Sequence, residues 1–284
     1  MKLFIFPKKV HFGGGAWAIV SFIGVAKRLY EKWEEVKKEN PEIYKGELCD
    51  YTRFSGDSAG AVIACGLALG LSVETMKKSY IDMAKRGRIE GVLWGKITKH
   101  HDKMLDDLLS QRKNTLELLH KREFHFGITK FFGNYHCCKK WRNLDHLREC
   151  LHSGFYLPFY CEYKTGICLD GGFSNNNERM KTYNLTIGIG EVWDISINPE
   201  LMEIIFPPQS VTIDQKIVEG YNDTIIWEKN YDSGVLHCTK SDGMKPYGKM
   251  LFVFIYLLKF LHFMQNKTFM WITKIYMRCK DLYG

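Results

Sequence analysis

The sequence predicts an α/β layered fold, and three features carry that expectation. Two strand, glycine-turn and helix units follow one another in residues 10–70, and strands and helices go on alternating after them. The length of 284 residues suits one large domain or one domain with a tail. Hydrophobic residues make up 45% and charged residues 25%, which fits a folded globular body and argues against a disordered chain or a polytopic membrane protein.

The first unit begins after Lys8-Lys9, where V-H-F reads as a strand entering Gly13-Gly14-Gly15. Residues 16–38 then read as a long helix that stops before Asn40-Pro41. The second unit takes residues 51–54 as a short strand, G-D-S-A-G as its turn, and A-V-I-A-C-G-L-A-L-G as a buried helix ending at Gly70. Two amphipathic helices are expected next, over 72–85 and 101–120, the second with leucines at 105, 108, 109, 116, 118 and 119. Further strands are expected at 124–130, 166–169 and 183–188, with a helix at 144–151.

The chain changes character near residue 240, which divides it into a 1–240 domain and a 241–284 tail. The stretch 250–264, M-L-F-V-F-I-Y-L-L-K-F-L-H-F-M, is strongly apolar but interrupted by Lys259 and His262. A spanning helix needs about twenty apolar residues. Core or subunit packing, a helix lying in a membrane interface and a true span all stay open for this segment.

The net charge of +8 comes from scattered clusters such as Lys37-Lys38, Lys77-Lys78, Lys85-Arg86-Arg88 and Lys139-Lys140-Arg142. Such runs are solvated faces, or they attract an anionic surface. No zinc-finger spacing or RNA-recognition signature accompanies them, so no nucleic-acid partner is expected. The nine cysteines are odd in number and include no C-x-x-C pair, which argues against a disulfide framework or a zinc site. The apolar run of M-K-L-F-I-F-P is too short for a signal peptide. A reducing, intracellular location is expected, without metal or cofactor, and the sequons at Asn184, Asn222 and Asn266 are discounted on that ground.

Gly56 to Gly60 fit G-x-S-x-G, a turn in which flanking glycines allow the chain to pass sharply from strand to helix and expose the serine. A serine hydroxyl acts as a nucleophile when a base takes its proton and backbone N–H groups hold the oxyanion that forms. Gly13-Gly14-Gly15 sit at an equivalent place one unit earlier, where N–H groups near a helix start can point at an anion. A flexible turn would look the same. The dinucleotide pattern fails because Gly13-x-Gly15-x-x is completed by Ala18, and no G-K-[S/T] supports a P-loop. Asp170-Gly171-Gly172 follows the apolar run I-C-L; read alone it is an Asp-Gly turn, and read with the other two pieces it supplies a carboxylate for the serine proton.

With these elements in this order the chain resembles the patatin-like phospholipases over residues 10–231. Within that family the similarity is closest to the adipose triglyceride lipase group, through F-S-G-D-S-A-G-A-V, S-G-F-Y-L-P-F-Y-C, and F-P-P followed by E-G-Y-N-D. The resemblance implies a three-layer fold with a central, mostly parallel sheet flanked by helices. It also implies a Ser-Asp dyad of Ser58 and Asp170, an oxyanion hole at Gly13, Gly14 and Gly15, and structural glycines at Gly56, Gly60, Gly171 and Gly172. The activity implied is hydrolysis of fatty acyl esters of glycerolipids, triacylglycerol or phospholipid, without a metal. The location implied is cytoplasmic and peripheral, on a membrane or lipid-droplet surface, with any protein co-activator unassigned.

Two departures from the family pattern stand out. Ala18 and Ile19 occupy the place where the glycine segment usually ends in another glycine, and Asp57 precedes the serine where the group usually has a small uncharged residue. A carboxylate at Asp57 either raises the serine's pKa slightly or points to solvent, and solvent is the expectation. His100-His101 and His120 sit in polar stretches and are expected at the surface. A Ser-His-Asp α/β-hydrolase using His237 or His262 is a rival, but that fold places several strands before its nucleophile and only one unit precedes Ser58. A lipid-binding protein of the same fold without catalysis is the other rival.

Overall fold

The structure, a computed structural model, describes residues 4–92, 95–130, 135–157, 161–162, 168–174, 181–190 and 193–231. All of them fall within one compact unit, Met1–Ser241. The apolar 250–264 stretch, His237 and His262 lie outside the described residues. Among the described residues no helix is long and apolar enough to cross a membrane.

The core is a central, mostly parallel sheet flanked by helices. Strand β1 (Lys9–Phe12) lies in its middle, with β2 (Arg53–Asp57) and β6 (Leu185–Ile189) parallel on either side. Outside these, β3 (His125–Lys130) runs parallel to β2 and β7 (Ile195–Ile197) parallel to β6. At the far edge β4 (Tyr135–Cys138) is antiparallel to β3, giving the order β4-β3-β2-β1-β6-β7. Val10, Phe12, Phe54, Leu185 and Ile187 are buried, as a sheet covered on its faces requires.

The seventh strand, β5 (Cys168–Asp170), is antiparallel to β3. Strand β2 pairs with β3 as far as Asp57 opposite Gly127, and β5 begins one position on, with Asp170 opposite Ile128. Strand β4 holds the other edge of β3 from Phe126 to Thr129, so β5 lies in line with β2, just past its end. That register brings Asp170 to the point where the chain leaves β2.

After β1 a short 3-10 turn, Ala16–Ile19, leads into α1 (Val20–Glu39). The buried positions Phe22, Val25, Ala26, Leu29, Trp33 and Val36 form one helical stripe. Helix α1 crosses a second long helix closely at glycines. A side-chain carbon at Gly24 would run into the backbone of Ile217, and one at Gly220 into that of Ser21. Arg28 then ties the pair together, donating to both oxygens of Glu228 at 2.7 and 2.6 Å.

Several expectations are corrected here. The expected 51–54 strand begins two residues later, as β2 from Arg53, after a single helical turn, α2 (Leu48–Tyr51), and it runs on through Ser55, Gly56 and Asp57. Pairing with β1 from Lys9 opposite Arg53 to Phe12 opposite Gly56 draws those residues into the sheet. The buried helix is α3 (Ala59–Ala68), and α4 (Val73–Glu90) starts from a Ser72 cap whose side chain accepts the Thr75 N–H at 3.2 Å. The expected 101–120 helix is two, α5 (Ile97–Leu109) and α6 (Thr115–Lys121). The break is held by the Thr115 hydroxyl, 2.7 Å from the carbonyls of both Leu109 and Arg112, and by Arg112, which reaches the Leu69 and Gly70 carbonyls at the end of α3.

Helix α7 (Leu144–Gly154) extends the expected 144–151 helix. The expected 166–169 strand appears as β5, with residues 166–167 outside the described set, and the 183–188 strand as β6. Strands β4 and β7, helix α8 (Leu201–Ile205) and the long helix that crosses α1, α9 (Ser210–Asn230), are elements the sequence reading does not contain.

Candidate active site

The turn between β2 and α3 places Ser58 at the N-cap of α3 with φ 51° and ψ −137°, a region costly for a residue with a side chain. The flanking glycines explain how the turn closes. A side-chain carbon on Gly56 would strike the backbone of Gly60 and Ala61, and one on Gly60 would strike the carbonyls of Phe12 and Gly13. Strand, turn and helix therefore pack backbone against backbone, which only glycine at both positions permits. Ser58 is 6% exposed, and its hydroxyl stands beside the first turn of a helix whose leading N–H groups have no partner within the helix.

Asp170 arrives from β5, 4% exposed. The Gly172 N–H donates to its Oδ1 at 2.8 Å, and Ser58 stands near enough to favour the ionised carboxyl. The Asp170 carbonyl accepts from the Thr129 hydroxyl at 2.8 Å, which fixes the strand end against β3. Burial pushes the Asp170 carboxyl up to about 7; Ser58 and the Gly172 N–H oppose that rise, and the charge of Asp57 adds to it. A carboxyl with this value changes protonation near neutral pH, as a general base for a serine must. Gly171 packs against the Gly127 carbonyl, and Ser174 donates to the Gly171 carbonyl at 2.9 Å, so the D-G-G turn is braced from both sides.

Gly14 lies against both groups: a side-chain carbon there would be 3.1 Å from Ser58 Cβ and 4.0 Å from Asp170 Oδ1. Gly13 departs from its expected role. Its N–H donates to the Ile187 carbonyl of β6 at 2.7 Å and is spent in the sheet, leaving Gly14 and Gly15 as the N–H groups of this segment. Ala18 and Ile19, the departure noted in the glycine segment, are buried in the 3-10 turn, where Ala18 N–H bonds to the Gly15 carbonyl at 2.9 Å.

A small, mostly apolar cavity of about 50 Å³ opens beside Ser58, lined among others by Trp17, Met83, Met104, Phe155 and His101. A larger groove of about 710 Å³ shares Trp17 with it but includes neither Ser58 nor Asp170. His100 and His101 are corrected here, since neither is a surface residue. His100 is buried, and His101 lines the cavity with burial pushing its imidazole down to about 3, so the ring is neutral. Among the described residues no group of three or more His, Cys, Asp or Glu side chains could hold a metal ion.

Asp57 is a second correction. It is buried, not solvated, with Tyr135 donating to Oδ1 at 2.8 Å and His11 Nε2 standing 3.3 Å from Oδ2. The sequence reading passed over His11 and Tyr135. A lone histidine between Val10 and Phe12 in a buried strand was the available signal, because such a group needs polar partners.

The structure thus brings Ser58, Asp170 and Gly14 together, with Gly56, Gly60, Gly171 and Gly172 shaping the two turns. No curated protein and no solved structure matches the chain. Residues 10–180 match the family model described as patatin-like phospholipase, a span that runs from β1 through the serine turn and past D-G-G. Sharing that span with the family, including the two turns that meet in the fold, the chain belongs to the patatin-like phospholipase family.

Proposed function

We propose that the protein is a serine lipid acyl hydrolase in which Ser58 and Asp170 form a dyad that cleaves fatty acyl esters of glycerolipids. The observation that carries this reading is the meeting of Ser58, on the turn that opens α3, with the buried Asp170 carboxyl, Gly14 lying against both. Membership of the patatin-like phospholipase family supports lipid acyl hydrolysis in general.

In the proposed reaction Ser58 Oγ bonds to the ester carbonyl carbon as its proton passes to the ionised Asp170. The N–H groups of Gly14 and Gly15, with those of the first turn of α3, take the negative charge on the carbonyl oxygen. As the tetrahedral species collapses, the bond to the alcohol breaks and Asp170 returns the proton to the leaving oxygen. Water, deprotonated by Asp170, then attacks the acyl-serine, and Ser58 recovers its proton as the fatty acid departs.

The cavity beside Ser58 has room for one or two waters, so an acyl chain enters by displacing its lining. Met83 and Met104 suit that role because unbranched thioether side chains repack readily. Similarity to the adipose triglyceride lipase group favours triacylglycerol or phospholipid as substrate. The basic clusters and the 250–264 stretch favour work in the cytoplasm at a membrane or lipid-droplet surface.

A serine-reactive fluorophosphonate tests the dyad. The wild-type chain is expected to label at Ser58, Ser58→Ala not at all, and Asp170→Asn at least about 100-fold more slowly. Labelling that persists in Ser58→Ala, or none in any form, would remove the dyad.

A further inference from the structure

The cavity beside Ser58 is too small for a fatty acyl chain, and the groove that adjoins it is large enough. The first measures about 50 Å³ and the second about 710 Å³, within the roughly 300–1,000 Å³ usual for a small-molecule site. Among the described residues Trp17 alone lines both. Three elements straddle the boundary at that ring. In the 3-10 turn after β1, Ala16 and Ile19 line the cavity and Ala18 lines the groove. On α4, Met83 lines the cavity and Gly87, one turn further on, lines the groove. At the start of α5, Ile97 lines the cavity and Lys96 the groove. The two spaces therefore lie back to back, and the Trp17 side chain stands in the wall between them.

Packing, not polar bonding, keeps the ring there. Its backbone is tied, because the Trp17 carbonyl accepts from the Tyr80 hydroxyl at 2.5 Å. The indole meets the Tyr80 ring edge to face at 6.1 Å between centroids, and its six-membered ring lies over Gly87, where a side-chain carbon would come within 3.3 Å of Cη2. Among the described residues no hydrogen bond holds the indole N–H, so a turn of the side chain breaks none. Beyond the ring the groove offers an alkyl chain an apolar wall that includes Val20, Val92, Ile197, Phe206 and Pro207. Lys216 in its lining is already matched, at 3.0 Å from Glu203 and 2.9 Å from Glu219. Arg88 and Lys96 are exposed and can keep their charges in water.

We propose that the groove receives the far end of a long acyl chain, and that the Trp17 ring turns aside to let the chain pass into it from Ser58, which makes Trp17 the residue that sets acyl-chain length. This rests on the reading of Ser58 as the nucleophile above. The occupant is a fatty acyl chain because one side chain separates the groove from the Ser58 cavity and the wall beyond that side chain is apolar. A short acyl group stays on the Ser58 side, among Met83, Met104 and their neighbours. A long one displaces the ring and then gains apolar burial in the groove.

The test compares the rates at which fluorophosphonates bearing a butyl or a dodecyl chain label the full chain. Trp17→Ala removes the partition, so the dodecyl-to-butyl ratio is expected to rise about tenfold. Trp17→Leu should move it the same way by less, and serves where the alanine variant does not fold. Thr212→Trp, at a half-buried groove position on the first turn of α9, fills the groove, and the ratio is expected to fall about tenfold. A change that only loosens the fold slows both probes together and cannot move the ratio in these opposite directions. Fluorescent cis-parinaric acid reads the groove without any reaction: Ser58→Ala should bind it, and Ser58→Ala with Thr212→Trp should bind it about tenfold more weakly. A ratio that does not rise in the folded Trp17 variants or does not fall in Thr212→Trp overturns the proposal, as does equal parinarate binding, even if Ser58-dependent labelling stands. No labelling in any form, with parinarate binding still weakened by Thr212→Trp, instead overturns the dyad and leaves the acyl site in place.

Discussion

At the scale of single residues, Asp170 ties reactivity to stability. Its carboxyl sits near 7 when folded against 3.8 when free, chiefly because it is buried. Between those values the folded chain holds a proton that the unfolded chain has released, so stability falls as pH rises through the window. Asp170→Asn has no charge to bury. It is expected to melt alongside wild type near pH 4 and to become the more stable form by roughly 2–4 kcal/mol at pH 8, measured by urea unfolding at both pH values. A gap that stays constant with pH would mean that Asp170 is not held protonated by its surroundings. In the proposed reaction the sign is opposite, since Asp170 as the base must lose that proton, and wild-type labelling should rise with pH through about 7. The turns that carry Ser58 and Asp170 were legible in the sequence because their tight backbone packing demands glycines, which leaves a written pattern. The partners of Asp57 left none: His11 and Tyr135 meet it only through the pairing of β1, β2, β3 and β4, which no local spacing records.

Elements show the same division between local and long-range causes. The strand, glycine turn and helix of each opening unit were readable because β1, α1 and α3 are set by nearby residues. The 101–120 helix was misread because its interruption depends on Arg112 reaching the end of α3, 42 residues away in sequence for Gly70. Helix α9 was missed because its buried stripe, Ile213, Ile217, Gly220, Thr224 and Trp227, contains a glycine and a threonine where an apolar pattern is sought. Those small residues serve the crossing with α1. The Gly220 position faces the Ser21 carbonyl, so Gly220→Leu should force the helices apart and lower stability by about 1–3 kcal/mol or more. Val218→Leu on the same helix, 56% exposed, should stay within about 0.5 kcal/mol of wild type. Thermal and urea unfolding of the two variants side by side give the comparison, and equal effects would remove the close crossing from the account of this fold.

For the whole molecule, the question is how much chain the proposed chemistry needs. The family match ends at residue 180, yet β6, β7 and α9 all follow it. Strand β6 pairs with β1 along its length and takes the Gly13 N–H at Ile187, so the glycine segment beside Ser58 is held in place by residues beyond the match. Helix α9 covers α1, and the Arg28 pairing with Glu228 fastens its far end. A chain ending at residue 180 should therefore fail to label at Ser58, whereas one ending at Ser241, the limit of the compact unit, should label at the full-length rate and unfold at the same temperature. Flotation with anionic vesicles then separates chemistry from surface binding: recovery of the full chain should exceed that of the 241-residue chain if the apolar 250–264 stretch serves the lipid surface. Equal recovery would transfer that role to the basic clusters of the folded unit, and raising the salt would then release both chains alike. A 241-residue chain that folds but does not label would show instead that the tail takes part in the reaction, and the Ser58 site as described would be incomplete.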